Sequence, residues 1–524
     1  MLNLIKNFSL IHLLSLSLIL RAISFYFYGD ESLVNEWAKI IHNQEVSGVF
    51  GYFVVINDYF ADPKFADYGE VVLPTVFMPP LYYYFIYFVK IISFEILNLV
   101  HLIIILQIFF SLVSVYIFYE LVKFFEKEKV ALASATIFSF FPLNVWVVSQ
   151  ISSITLQIFL VLLFLLFLIK FQKSEKFKDL IFFSLISGCL MLTRGEFFLF
   201  YLFTIFYFYI FLEKKSKNLI LSLIITLIIL SPYLYRNYNT FNELTLTKSF
   251  GYNLLKGNNP NFKVEGDAVF LETEFNRNSL KIKTNQNYEI SLDNFYKEKA
   301  INYIYDDPVA YFKFYTKKVF AFIFLDINST YPNYYNPLHI IPKAIMSVFT
   351  LIGCLFLFRK KGFFQYLSFY YVFNILLFSI FFILPRYSLI LLPIQILISI
   401  SLIFIVTNAA AGTVSGVYKT ESNDDGAFLE VQFGPCETNQ TLSCATILKA
   451  YRSENEINSD YEHLGKIIVA DMEDDGAGKF SGGTIWDPSE DKTYNSKMTI
   501  KNDDLSVEGC ILFFCKGQLW EKIK

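Results

Sequence analysis

Runs of about twenty predominantly apolar residues recur from the N-terminus to about Val406, and no other feature constrains this chain as strongly. Only a helix of that length crosses a hydrocarbon core with its backbone bonded internally. Candidate spans fall near 8–28, 75–93, 97–122, 130–149, 152–170, 179–194, 196–212, 218–235, 338–358, 363–383 and 386–407, about eleven in all. With 55% hydrophobic residues and 60 Phe among 524, the chain is too apolar for an ordinary soluble domain of its size. A polytopic α-helical membrane protein is predicted.

Charge places the loops. A formal net charge of −3, with no basic stripe interleaved with stacking aromatics, argues against nucleic acid as a partner. The basic runs Lys123–Lys129, Lys170–Lys178, Lys214–Lys217 and Arg359–Lys361 are expected in the cytoplasm, which leaves 29–74 and 236–335 as long outer segments. Two full spans at 75–93 and 97–122 would put Lys123 on the wrong side, so one early segment is expected to be a surface-lying or broken helix. No small-residue cleavage site follows Tyr28, so the first span is read as retained. The expected location is the inner (cytoplasmic) membrane of a bacterium, with multiple passes.

After Val406 the composition turns polar and acidic, dividing the chain into a membrane domain, 1–407, and a small all-β domain, 412–524. LEVQF, KIIVAD, YNSKMTIK and LSVEGCILFF read as strands, punctuated by Asp474-Asp475-Gly476, Ser481-Gly482-Gly483 and Asp487-Pro488. Cys436, Cys444, Cys510 and Cys515 lie here and favour disulfides outside the cytoplasm, with three pairings open; zinc is the alternative, His463 being the only imidazole nearby. Ala409-Ala410-Ala411 after an apolar run resembles a signal-cleavage site, so the tail is expected to be periplasmic, anchored by the last span or cut near Ala411. Loop parity counted from Arg359 would leave it inside.

Candidate chemistry begins at Asp30 and Glu31, which emerge from the first span at the membrane surface. They open DESLVNEWAKII, whose Leu33, Trp37, Ile40 and Ile41 recur at the spacing of an interfacial amphipathic helix. Asp30 would serve as an N-cap in the bland reading. In the functional one it is a general base for an attacking hydroxyl, with Glu31 a supporting or metal-binding group. No metal site is assigned, and a need for a divalent cation stays open. Tyr82, after Pro79-Pro80, is a candidate sugar contact at a helix start. Arg236 and Asn237, leaving a span after Pro232, are candidates to clamp a phosphate, the alternative being a headgroup anchor. Asn258 and Asn259, in the turn Gly257-Asn258-Asn259-Pro260, are further candidate substrate contacts. Arg194 is expected at an outer turn between spans, with Glu196 as a local ion-pair partner, and Arg386 with Tyr387 at the start of the last span, facing the same cavity.

In this order, Asp30-Glu31, Pro79-Pro80-Leu81-Tyr82, Leu192-Thr193-Arg194, Pro232 with Arg236-Asn237-Tyr238, Gly251-Tyr252-Asn253 with Gly257-Asn258-Asn259-Pro260, and Arg386-Tyr387 resemble the GT-C-fold membrane glycosyltransferases related to protein O-mannosyltransferases and lipid A aminoarabinose transferases. The resemblance spans about 8–407. It implies transfer of a sugar from a polyprenyl-phosphate carrier to an acceptor of the cell envelope on the outer face, with Asp30 as base. Relatives often carry a basic residue or His before the two prolines, where this chain has Met78, so donor-phosphate contact is expected from Arg236 and Arg194 instead. The tail resembles a small bacterial exported family of unknown function, number two-one-four-seven, through Gly416-Val417-Tyr418-Lys419, Gly465-Lys466-Ile467, Gly482-Gly483-Thr484-Ile485-Trp486-Asp487-Pro488, Lys492 with Tyr494, Leu505-Ser506-Val507 with Gly509, and Gln518-Leu519-Trp520. A transporter of a lipid-linked sugar is the rival function, since it too places charge at cavity edges.

Overall fold

The structure is a computed structural model that describes residues 9–29, 44–47, 51–55, 72–93, 98–211, 216–275, 282, 285–359, 362–410, 414–437, 439–476, 478–501, 503–511 and 514–523. Asp30, Glu31, the stretch read as an amphipathic helix, and Ala411 lie outside the described residues. The chain divides into two compact units, Met1–Leu402 and Ile403–Lys524.

The first unit is helical. Its helices are α1 (Leu10–Tyr28), α2 (Leu81–Ser93), α3 (Leu99–Lys123), α4 (Glu128–Phe140), α5 (Pro142–Trp146), α6 (Ile154–Ser174), α7 (Phe177–Thr193), α8 (Phe197–Ile210), α9 (Ser216–Phe241), α10 (Phe250–Gly257), α11 (Ala268–Glu274), α12 (Tyr288–Asp306), α13 (Pro308–Ile323), α14 (Pro337–Leu357), α15 (Phe363–Phe378), α16 (Pro385–Leu389) and α17 (Leu392–Ala410). A small antiparallel sheet, β1 (Gln44–Ser47), β2 (Gly51–Val55) and β3 (Val72–Pro74), precedes α2.

Among the described residues five helices are long and apolar enough to span a membrane, α1, α3, α6, α9 and α14. The pair Glu128–Phe140 and Pro142–Ser149 is apolar enough to span only if taken together, and is bent by 63°, as a broken span or a re-entrant loop would be. Pro142 causes the break, since it has no N–H to give and forces Phe141 out of the helix. Four shorter apolar helices, α2, α8, α15 and Leu392–Leu402 of α17, complete the set, so the apolar runs are helical but several are shorter than a full crossing. The 13 residues of α2 rise about 20 Å against a core of about 30 Å. Loop charge called for one irregular early segment; α2, in the 75–93 run, is short, and α4–α5 is broken as well.

Buried polar groups hold the break. Arg21 is fully buried on α1; its Nε donates to Ser111 Oγ (2.8 Å), and Nη1 to Ser17 Oγ (2.5 Å) and to the Ser139 carbonyl (3.3 Å) in the last turn of α4. A cation at a helix C-terminus meets the negative end of its dipole, which offsets part of the cost of charge at this depth. Gln107 of α3 donates to the carbonyls of Val148 (2.9 Å) and Gln150 (3.0 Å), satisfying irregular backbone that lipid could not.

The second unit is an antiparallel barrel of β4 (Gly416–Lys419), β5 (Phe428–Pro435), β6 (Ser443–Ser453), β7 (Glu456–Ile457), β8 (Ile467–Gly476), β9 (Lys479–Ser481), β10 (Thr484–Asp487), β11 (Lys492–Lys501), β12 (Asp504–Ile511) and β13 (Phe514–Lys522). The ten strands form one sheet that closes on itself where β6 pairs with β8. Alternate residues point inward, and Tyr418, Val431, Phe433, Ile447, Val469, Met472, Met498, Leu505 and Trp520 fill the interior. Cys436 pairs with Cys444 and Cys510 with Cys515, each clipping a hairpin; Gly482, at φ +81°, makes the turn between β9 and β10. The all-β tail and its disulfides are therefore as expected.

Candidate functional site

Four stretches of the helical unit meet on one side of it: 75–80 ahead of α2, the turn 194–196 between α7 and α8, the strip 245–249 after α9, and 380–387 between α15 and α17. Thr247 Oγ1 donates to the Phe77 carbonyl (2.6 Å) and the Lys248 N–H to Val76 (2.8 Å), so the strip backs the proline loop. A side chain on Gly195 would strike Thr247 at 2.7 Å and sit 3.8 Å from Pro79, which brings the 194–196 turn against both.

Arg194, Arg386 and Tyr387 come together here. Arg194 Nε donates to Glu196 Oε1 (2.8 Å), and Arg194 also hydrogen-bonds Tyr387. Arg386 lies 5.5 Å from the centre of the Tyr387 ring, which stacks on Phe378 at 5.0 Å. Among the described residues the cluster holds two guanidinium groups and one carboxylate.

Asn258 and Asn259 are buried in an adjoining knot. Asn258 Nδ2 donates to Leu254 (2.9 Å) and Ile380 (2.8 Å); Asn259 Nδ2 donates to Leu255 (3.2 Å) and Lys256 (2.9 Å), and its Oδ1 accepts from the Asn261 N–H (3.1 Å). The Asn258 amide thus fixes the turn after α10 to the segment that leads to Arg386, while Asn259 shapes the turn itself.

Arg236 and Asn237 tie the first and third of the four stretches together. Arg236 Nη1 donates to the Thr75 carbonyl (2.7 Å) and to Asn237 Oδ1 (2.9 Å), and Asn237 Nδ2 donates to Thr245 (2.6 Å). Glu289 of α12 closes the bolt by accepting from the Val76 N–H (2.7 Å) and the Thr75 hydroxyl (2.7 Å). Burial pushes this carboxyl up, against the pull of those donors and of Arg236. Tyr82 is buried in the bundle, its hydroxyl donating to Gln107 Oε1 (3.0 Å).

Beside the 380–387 segment is a pocket lined by Glu265, Asp326, Tyr331, Tyr334, Lys343 and Pro385, with Ser329, Ile383 and Leu384. Asp326 and Lys343 are both buried and attract one another; Lys343 Nζ donates to the Ala321 carbonyl (3.2 Å), and Asp326 Oδ1 accepts from the Asn328 N–H (3.1 Å). Burial pushes the Asp326 carboxyl up. Sequence reasoning passed over Lys343 and Arg21, yet an ionisable side chain inside an apolar run was the available signal. Asp326, Glu265 and Glu289 gave none, because their importance comes from contacts distant in the chain.

Residues 78–235 match the profile of the dolichyl-phosphate-mannose-protein mannosyltransferase family, and residues 416–522 that of an uncharacterized protein family conserved in bacteria, DUF2147. Both resemblances read from the sequence are thus found, each over its own part of the chain. No curated protein matches. Among solved structures, an oligosaccharyltransferase of Archaeoglobus fulgidus tethered to an acceptor peptide is 12% identical, with 78% of this chain and 51% of that one covered and a TM-score of 0.46. This chain spans about half of that protein's length. ArnT of Cupriavidus metallidurans, bound to undecaprenyl phosphate, is 11% identical over 79% of this chain and 83% of its own, with a TM-score of 0.33. A Helicobacter pylori protein described as a lipocalin family member is 15% identical over 21% of this chain and 82% of its own, with a TM-score of 0.18.

Proposed function

We propose that the helical unit transfers a hexose or pentose from a polyprenyl-phosphate carrier to an acceptor hydroxyl of the cell envelope, at the outer face of the inner membrane, with the β-barrel unit on that same periplasmic side. One observation carries the reading: the mannosyltransferase-like segment, 78–235, contributes Pro79 and Arg194 to the place where Arg386 and Tyr387 also arrive. Guanidinium groups there suit the carrier phosphate, which gains negative charge as the glycosidic bond breaks and can be held bidentately. In this reading Asp30 takes the proton from the attacking hydroxyl and Glu31 supports it. Arg236, Asn237, Asn258, Asn259 and Tyr82 act by holding the loops, with no direct contact to substrate. Acceptor hydroxyls would approach past Asp326 and Lys343.

Sugar release from a polyprenyl-phosphate-sugar mixture in proteoliposomes tests this. Turnover that drops by about 10²-fold or more in Asp30→Asn supports it. Equal movement of the lipid across the bilayer by both proteins, with no sugar released, would replace the enzyme with a transporter.

A further inference from the structure

Lys318 stands on α13 and is completely buried. Its Nζ faces four oxygens: the carbonyls of Phe381 (2.7 Å), Gly257 (3.2 Å) and Ile380 (3.4 Å), and Asn258 Oδ1 (2.9 Å). The Phe314 ring, 4.6 Å away, covers it from its own helix. All the acceptors are neutral dipoles. The nearest lysines of the adjoining stretches are engaged elsewhere, Lys256 over the Phe382 ring and Lys317 toward Asp326. An ammonium buried with no counter-ion among the described residues is costly, and an apolar side chain of similar length would fill the same volume more cheaply.

What the ammonium does that a methyl group could not is join two turns. One is Gly257–Asn258, the other Ile380–Phe381, and they pack so closely that a Cβ on Gly257 would lie 2.2 Å from the Phe381 carbonyl oxygen. From Phe381 the chain is tied again by the Ile383 N–H to Val264 (2.8 Å), turns into α16 at Pro385, and delivers Arg386 and Tyr387. The register of those two side chains therefore depends on where the Ile380–Phe381 turn is pinned.

We propose that Lys318 is a positioning residue for the transfer reaction: its amine end clamps the Ile380–Phe381 turn onto the Gly257–Asn258 turn and so sets where Arg386 and Tyr387 stand against Arg194. The proposal rests on the glycosyltransferase reading for its consequence, though the clamp itself can be tested without turnover. Burial lowers the ammonium from its ordinary value to about 7. Opening the clamp exposes Lys318 and restores that ordinary value, so between about pH 7 and about pH 10.5 opening takes up a proton and becomes harder as pH rises, by up to about tenfold per pH unit.

Backbone hydrogen exchange of the full-length protein in lipid nanodiscs reads the clamp. After correction for intrinsic rates, protection around 380–387 should rise with pH above about 7 in the wild type. Lys318→Met should show less protection and no such rise. In the proteoliposome assay Lys318→Met should lose about 10-fold to 10²-fold in kcat with KM little changed, and Lys318→Arg, which keeps the donors, should recover much of it. Wild-type protection around 380–387 in Lys318→Met overturns the clamp, and where that variant does not fold the same result in Lys318→Gln overturns it. Lys318→Met with wild-type kcat overturns the positioning role. If the wild type releases no sugar while the exchange slope is present, it is the glycosyltransferase reading that fails and the clamp that stands.

Discussion

Arg236 shows how one side chain invites two readings. An arginine at a span end, beside an asparagine, reads as a phosphate clamp, whereas its Nη1 is bonded to Thr75 and Asn237 and its guanidinium lies over Phe241. Arg236→Lys should therefore act on folding more than on donor affinity, because a lysine loses the planar group that lies over Phe241 while Nη1 bonds Thr75 and Asn237. A stability loss of about 1–3 kcal/mol with an unchanged KM for the carrier lipid is expected. Glu289→Ala should cost a similar amount, about 1–3 kcal/mol by thermal unfolding, since it strips the Val76 N–H and the Thr75 hydroxyl of their acceptor. The carboxyl's folded-state pKa is raised, so its contribution is greatest below its ordinary pKa and declines as pH rises through the folded value. The wild-type advantage over Glu289→Gln should accordingly grow on acidification, and a difference independent of pH would refute it.

The turn after α10 and the segment after α15 behave as one element, although 122 positions separate the bonded residues Asn258 and Ile380. Gly257→Ala tests that unit directly. The added methyl meets main chain, which cannot rotate aside, so activity should fall at least as far as in Lys318→Met while the barrel unit melts unchanged. In the barrel, β5, β8, β11 and β12 were legible as alternating runs. β6, the longest strand, was not, because its inward positions include Ser443, Ala445 and Ala450, too small to stand out. The break in α4–α5 was half legible: Pro142 marks it, yet Arg21 and Gln107, which make it tolerable, are on other helices.

Each of the two units carries a core of its own, and the barrel's closed sheet and two disulfides make it self-sufficient. Residues 414–524 made alone under oxidising conditions should fold, with Trp520 shielded from quenchers, and Met498→Ala should destabilise them by about 2–5 kcal/mol. A fragment that stays unfolded would refute this. Apolar periodicity, prolines, loop charge and cysteine usage are local properties, and from them the chain by itself determined a helical membrane region followed by a β-rich, disulfide-bonded tail. The tertiary structure alone decided which partners the polar residues meet. It put Arg236, Asn258 and Tyr82 to work on backbone and neighbouring amides, gathered Arg194, Arg386 and Tyr387, and placed Lys318 between two turns. A side chain's role depends on which partners remain within hydrogen-bond reach once burial has removed water, and those partners come from segments that only folding brings together.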